Sequence, residues 1–326
     1  MKVAVTGASG HIGSCLVREL VRQGNQVKVL VHRSRNTLDE LQVELVEGDL
    51  LSADTLERLC INAEVVFHLA ARIAIDRKSN NQVYHTNIEG TQKLVDVCLK
   101  QHIPRFIHFS SIHALDVHPP DQPMDENRQL ISKTNMAYEL SKAESERIVL
   151  KASEKGLHAV ILNPTAVIGP YDYHKSYLGQ ALIRIYKNSL PVLVPGGYNW
   201  VDVRDVVQAA IASVSKGRKG ERYILSGHWS SLKKLSEMIS RISSRKTPRI
   251  VVPLFIAKIG LPVIQLISLI RGEHPLYTYD SLEILKHAHQ NISCGKAGRE
   301  LGYHPRPLEE SLRDTFAWYI QQGIIS

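Results

Sequence analysis

Several features that would settle a protein's class at once are scarce in this chain of 326 residues. Its four cysteines, Cys15, Cys60, Cys98 and Cys294, lie far apart and form no C-x-x-C pair. That excludes a disulfide framework and a thiolate metal site, and they read as free thiols in a reducing cytosol. Metal-ligand spacing is missing as well: His102, His108, His113 and His118 follow neither H-E-x-x-H nor a helical pair, so no catalytic metal is expected. There is no internal repeat and no low-complexity tract. No leader is expected, because Met1 runs within one residue into the apolar Val3-Ala4-Val5, and the expected location is the cytoplasm. The net charge is +8 and the pI near 9.2, yet the basic residues are scattered apart from Arg33, Arg35 and the short run 215–219. No nucleic-acid partner is therefore expected; an anionic cofactor and a solvated surface account for the excess. Long apolar runs are limited to residues 250–270, about the length of a membrane span but interrupted by Pro253, Lys258, Gly260, Pro262 and Gln265. This stretch reads as buried in a lobe or a dimer contact, with weak membrane-surface association as the alternative.

What is present describes an ordinary globular protein. With 44% hydrophobic and 22% charged residues, the chain can bury one large core and carry a smaller second lobe. Short β-branched runs at 2–6, 26–31, 42–47, 64–69, 106–110 and 159–163 alternate with segments whose apolar residues recur at helical spacing. The alternation predicts an α/β fold, a doubly wound parallel sheet of the Rossmann type. Residues 12–23 put Ile12, Cys15, Leu16 and Leu20 on one stripe and stop at Gly24-Asn25, which completes a strand-turn-helix-strand unit. The expected division is a nucleotide-binding domain over 1–168, with a segment near 200–228 returning to it, and a mainly substrate-binding lobe over 169–326. Helices are expected there at 231–242 and 308–321.

The first strand opens into Thr6-Gly7-Ala8-Ser9-Gly10-His11-Ile12-Gly13. Glycines there allow positive φ, close approach to a pyrophosphate and tight helix packing, while free N–H groups at the helix start face the anion. Gly7, Ser9, Gly10, His11, Ile12 and Gly13 are thus cofactor candidates. The second strand ends in His32-Arg33-Ser34-Arg35, where an acidic residue would bond a ribose 2′-hydroxyl. Cations there suit a 2′-phosphate, so NADP(H) is favoured over NAD(H). Asp49 and Leu50 are placed for the adenine, and Leu69, Ala70 and Ala71 after His68 would admit the cofactor backbone.

Tyr138-Glu139-Leu140-Ser141-Lys142 places a phenol and an ammonium four residues apart on one face of a helix over 137–154. A neighbouring cation, Lys142 together with the nicotinamide charge, would stabilise the phenolate and let Tyr138 pass a proton to or from a substrate oxygen. The buried run Phe106-Ile107-His108-Phe109-Ser110-Ser111 ends in a hydroxyl suited to hold that oxygen. Asn87 begins another helical pattern, either as its N-terminal cap or as a polar support for Lys142. His113, Tyr171, Tyr173, His174, Asn199 and Trp200 are candidates for the substrate wall, each equally readable as packing.

Together T-G-x-x-G-x-x-G at 6–13, H-L-A-A at 68–71, N-x-x-G-T at 87–91, the paired serines ending at Ser111, Y-x-x-x-K at 138–142 and N-P-T-x-V-x-G-P at 163–170 resemble an extended short-chain dehydrogenase/reductase. The order and spacing run from residue 2 to about 210, and 297–318 resembles the family's C-terminal tail. The resemblance implies Ser111, Tyr138 and Lys142 as catalytic residues, Pro164, Thr165 and Val167 along the nicotinamide pocket, and a homodimer through the helices carrying Asn87 and Tyr138. It is strongest with the dihydroflavonol-4-reductase and 3β-hydroxysteroid dehydrogenase branch: Ser111 is not followed by V-Y-G, and 198–203 lacks the arginine that the nucleotide-sugar branch uses for a diphosphate. Asn163 stands where the family usually has arginine. The expected function is ketone–alcohol interconversion on a small or mid-sized substrate. The alternatives are a nucleotide-sugar epimerase or dehydratase with the same residues and, behind it, a nucleotide-sensing protein.

Overall fold

The side chains of Val3, Ala4 and Val5 set the plan of the sheet. In the computed structural model, β1 (Lys2–Thr6) sends Val3 and Val5 to one face and Ala4 to the other, and all three are fully buried. A strand buried on both faces belongs inside a parallel sheet covered by helices. Described are residues 1–326 except 33–36, 39, 74–79, 135 and 271–276, with the backbone alone at 80, 263–270, 280, 284, 286 and 287. The expectation resting on Arg33 and Arg35 lies outside the described residues.

After β1 come β2 (Gln26–Val31), β3 (Val43–Glu47), β4 (Val65–His68), β5 (Arg105–Phe109) and β6 (Ala159–Pro164), within one or two residues of the expected strands. Two further strands, β7 (Ala166–Ile168) and β8 (Gly197–Asp202), pair in a second sheet with β10 (His228–Ser231), while β9 (Arg222–Leu225) rejoins the first. The large sheet has seven parallel strands in the order β3-β2-β1-β4-β5-β6-β9. The order reverses direction between β1 and β4, and a crevice at the carboxyl ends of the strands is the binding position such a sheet creates.

Two helix layers cover the sheet. Helices α1 (His11–Arg22) and α7 (Val203–Lys216) pack Leu16, Leu20, Val206 and Ala210 on the face that shows Val5, Phe67, Ile107 and Leu162. On the other face α2 (Ala53–Cys60), α4 (Gly90–Lys100) and α5 (Ala137–Glu154) pack Leu56, Leu94 and Val149 against Ala4, Val66, Phe106 and Ile161. The chain enters α4 through α3 (Asn80–Tyr84) and a single wide helical turn at His85–Glu89. Asn87 therefore sits inside a helical stretch and is not its N-terminal cap.

A third core lies within residues 168–325, where Leu182, Trp200, Leu235, Leu312, Phe316 and Tyr319 meet. It joins the small sheet to α6 (Tyr177–Tyr186), α8 (Leu232–Ser243), α9 (Leu254–Ile270), α10 (Tyr279–His287) and α12 (Leu308–Gln321); α11 (Gly295–Leu301) packs instead against α7. The helices expected at 231–242 and 308–321 are α8 and α12.

Candidate active site

The carboxyl end of β5 carries the reactive groups. Ser111 follows Phe109-Ser110 and caps a short turn over Ile112–Ala114, its Oγ accepting the His113 N–H at 3.2 Å. The Tyr138 side chain, in the first turn of α5, stands beside the Ser111 hydroxyl, which favours its phenolate. One turn on, Lys142 is buried and its Nζ donates to the Phe109 carbonyl at 2.8 Å. Serine, phenol and ammonium thus converge on the last residues of one strand. Burial pushes the phenol up to about 12, opposed by the Ser111 hydroxyl. Burial also pulls Lys142 down to about 8, against the raising charge of Glu146. The lowering of Tyr138 expected from Lys142 together with the nicotinamide charge does not show in the protein alone, where desolvation of the phenolate sets the direction.

Behind this pair runs a polar network that sequence reasoning did not find. Glu146, fully buried one turn after Lys142, pairs with Arg222 Nε of β9 at 2.9 Å and accepts from Asn163 Nδ2 at 3.0 Å. The same Asn163 amide donates to the Ser111 carbonyl at 3.0 Å. The cation that the resemblance places at 163 is supplied by the neighbouring strand, since Arg222 pairs in register with Ile161 of β6. The spacing of Glu146 from Lys142 was a usable signal; Arg222 had none. Asn87 is also buried, but its partners are the Arg72 backbone, at 2.7 and 3.0 Å, and Ser141 Oγ at 2.9 Å. It ties the loop after β4 to α5, bonding Ser141 and not Lys142 itself; it is no N-terminal cap, and any support it gives Lys142 is indirect.

The glycine turn lies beside the carboxyl ends of β1 and β4. At Gly7, φ is +74° and a Cβ would stand 2.6 Å from Ala70 N; at Gly13 a Cβ would stand 2.1 Å from the Gly7 carbonyl oxygen. Those glycines are required by the turn itself. Gly10 differs, for a Cβ there would meet only the Gly7 oxygen at 3.4 Å. Its bare backbone, at the N-cap of α1 with no side-chain capping bond and no acidic residue in the first turn, leaves a cradle suited to a phosphate. The residues present fit a dinucleotide. His11 Nε2 lies 3.0 Å from the Pro170 carbonyl oxygen, which ties the turn to the segment after β7, and Ser9 and Ile12 are half-buried beside it.

Beneath the turn, His68 is locked by two threonines. Thr91 Oγ1 donates to the Asn87 carbonyl at 2.5 Å and so accepts from His68 Nε2 at 2.9 Å; Thr6 Oγ1 then donates to Nδ1 at 2.7 Å. Burial holds His68 down at about 3. His108, 5.4 Å away ring to ring, is buried with neither ring nitrogen bonded, and burial keeps it neutral too.

The remaining candidates divide. Asp49 is exposed, accepts the Leu51 N–H at 2.8 Å and lies 3.3 Å from His32 Nε2 at the end of β2. Leu50 is buried against Gly90, where a Cβ would meet it at 2.4 Å. Leu69 and Ala70 are pinned through their N–H groups to Thr6, and Ala71 follows half-buried. Pro164 ends β6, Thr165 N donates to the Leu225 carbonyl at 3.2 Å, and Val167 is half-buried in β7. Of the substrate-wall candidates, His113 stands next to Ser111, its Nδ1 3.5 Å from Glu139. Trp200 does not: it is fully buried with Nε1 donating to the Ser230 carbonyl, and is a core residue. Tyr171 packs against Trp318 and under Arg18, as Tyr173 does, away from Ser111; Asn199 is buried and donates to the His289 carbonyl; His174 is exposed.

A seven-stranded parallel sheet, a phosphate cradle at its switch point and a serine, tyrosine and lysine at the next strand end define a nucleotide-dependent enzyme of the extended short-chain dehydrogenase/reductase type. The chain belongs to the NAD dependent epimerase/dehydratase family, whose model matches residues 3–226. It is 30% identical, over 98% of its length and 95% of the relative's, to a putative dihydroflavonol 4-reductase of Synechocystis sp.. It is 27% identical over the full length of both chains to sterol demethylase protein B of Methylococcus capsulatus. Among solved structures, gox2253 superposes with a TM-score of 0.84 at 31% identity, covering 100% of this chain and 99% of the other. Like other members of its family, the chain is an NAD(P)-dependent enzyme acting on small molecules. No helix among the described residues is long and apolar enough to cross a membrane.

Proposed function

We propose that this protein interconverts a ketone and a secondary alcohol on a small or mid-sized substrate. The observation that carries the reading is the convergence of Ser111, Tyr138 and buried Lys142 at the end of β5, where Lys142 Nζ donates to the Phe109 carbonyl. A phenol held up at about 12 keeps its proton at neutral pH. In the reducing direction it meets the substrate oxygen as an acid, and the alkoxide that forms is a strong enough base to take the proton. Ser111 Oγ donates a second hydrogen bond to the same oxygen and fixes its position. Burial pulls Lys142 down to about 8, still above neutral pH, and its ammonium places positive charge behind the phenol as it loses its proton. Asn87 acts at one remove, by anchoring α5.

Gly7, Ser9, Gly10 and the amides of His11, Ile12 and Gly13 would hold the pyrophosphate; Asp49 and Leu50 the adenine end; Leu69, Ala70 and Ala71 the cofactor backbone; Pro164, Thr165 and Val167 the nicotinamide. When bound, the nicotinamide supplies or accepts the hydride. Arg33 and Arg35 favour NADP(H), with NAD(H) as the alternative. Residues 1–168 with the return near 200–228 form the nucleotide-binding unit, residues 169–326 the substrate lobe, and the assembly is a cytoplasmic homodimer. His113 is the wall residue best placed to meet a substrate.

The test is NADPH oxidation with a panel of cyclic and open-chain ketones. Tyr138→Phe is expected to lower kcat by about 10²- to 10⁴-fold while NADPH binding is kept. Equal turnover by the variant, or nucleotide-sugar conversion with no net NADPH consumption, would overturn the reading.

A further inference from the structure

The surface of α9 is not finished as an ordinary solvated face. Ala257 and Leu261 point into the core, whereas Phe255, Ile256 and Ile259 are 65%, 46% and 75% exposed on the opposite side. Just before the helix, Ile250 and Val251 are 65% and 38% exposed. Single apolar side chains on a surface are common; five within ten residues form a patch. Its flank is cationic. Residues 241–270 contain Arg241, Arg245, Lys246, Arg249 and Lys258 and no aspartate or glutamate. Arg241 and Arg249, with Lys233, line a groove of about 600 Å³ in which Glu237 is the one acid. Lys258 is paired with Glu283, and Arg245 donates to the Ser326 carbonyl, but Arg241, Lys246 and Arg249 have no ion-pair partner among the described residues.

We propose that this face docks on an anionic lipid bilayer, with Phe255, Ile256 and Ile259 in the headgroup–acyl boundary and Arg241, Lys246 and Arg249 on the lipid phosphates. A bilayer surface takes apolar side chains and cations side by side. A nucleic acid would leave the apolar centre uncovered. A second copy meeting the same face by two-fold symmetry would set the cationic rim against itself. Pro262 lies inside the helix, and no helix among the described residues is long and apolar enough to cross a membrane, so the proposed contact is peripheral. It would bring the substrate lobe to a membrane without involving Ser111, Tyr138 or Lys142, and stands whether or not the ketone–alcohol reading does.

The experiment is sedimentation of the full-length protein with vesicles of phosphatidylcholine alone or mixed with phosphatidylglycerol. Partitioning onto the mixed vesicles, weakened by added salt, is expected. Phe255→Ser with Ile259→Ser should reduce it at least tenfold. Lys246→Ala with Arg249→Ala should reduce it roughly 25-fold at low salt, about fivefold for each cation removed. Both pairs are exposed, and unchanged melting temperature and NADPH binding would show that the variants are folded. Wild-type protein that stays in the supernatant, partitioning indifferent to both pairs, or a homodimer that dissociates on Phe255→Ser with Ile259→Ser would each overturn the proposal.

Discussion

Lowering the pH should destabilise this protein well before its carboxylates titrate, because two imidazoles are buried in the neutral form. Burial holds His68 at about 3 and His108 well below its ordinary value. In the unfolded chain both return to about 6.5. Below that value the unfolded state binds two protons that the native state does not, so stability falls as pH falls, in a window reaching from about 6.5 to about 3 for His68. Integrated from pH 7 to 5, a histidine that stays neutral when folded loses about 2 kcal/mol, and the pair about 4 kcal/mol. That is a large share of an ordinary folding free energy of about 5–15 kcal/mol. The assay is urea unfolding at half-unit steps of pH, in wild type and His108→Leu. The variant should lose about half of the pH dependence. At pH 7 it should be no less stable, because the imidazole it removes has both nitrogens unbonded. An unchanged slope in His108→Leu would refute the reasoning, since it would mean that His108 takes up its proton in the folded protein.

Two other perturbations separate folding from function. Gly13→Ala drives a Cβ into the Gly7 carbonyl and should cost about 1–3 kcal/mol along with cofactor binding, whereas Gly10→Ala should change stability by about 1 kcal/mol or less yet weaken NADPH at least tenfold in a fluorescence titration. Glu146→Gln removes the charge opposite Arg222 and should cost about 3 kcal/mol in urea unfolding. It also removes the charge that raises Lys142, so the basic limb of the pH–rate profile should move to lower pH.

How far the sequence could be read depended on the range of the physics involved. The strand at 2–6, the glycine turn and α1 were legible because each signal is local: β-branched residues, then glycines, then an apolar stripe ending at Gly24 with φ +75°. That Ser111, Tyr138 and Lys142 come together at the end of β5 was legible through order and spacing. Asn87 was misplaced because the single wide turn at His85–Glu89 inserts an extra residue and shifts the apolar periodicity there, so that position 87 looked like a helix start. Strand β9 was expected only as part of a segment returning near 200–228, and its pairing beside β6 is set by tertiary contacts, so Arg222 could not be matched with Glu146. Trp200 and Tyr171 follow motif strands, but adjacency in sequence does not say which face a side chain takes; the pleat turned Trp200 inward, and positive φ at Tyr171 sent its ring toward Trp318.

The central claim, net reduction with exchange of nicotinamide, is tested most directly by nucleotide occupancy. The protein is purified without added cofactor and denatured, any released nucleotide is identified, and the stripped protein is titrated with NADPH and NADH. A reductase must exchange its cofactor at each turnover. The account predicts largely empty protein that binds NADPH more tightly than NADH, with the preference lost in Arg33→Ala. Stoichiometric NAD retained through purification would contradict it and point to an epimerase or dehydratase, which regenerates its cofactor in place.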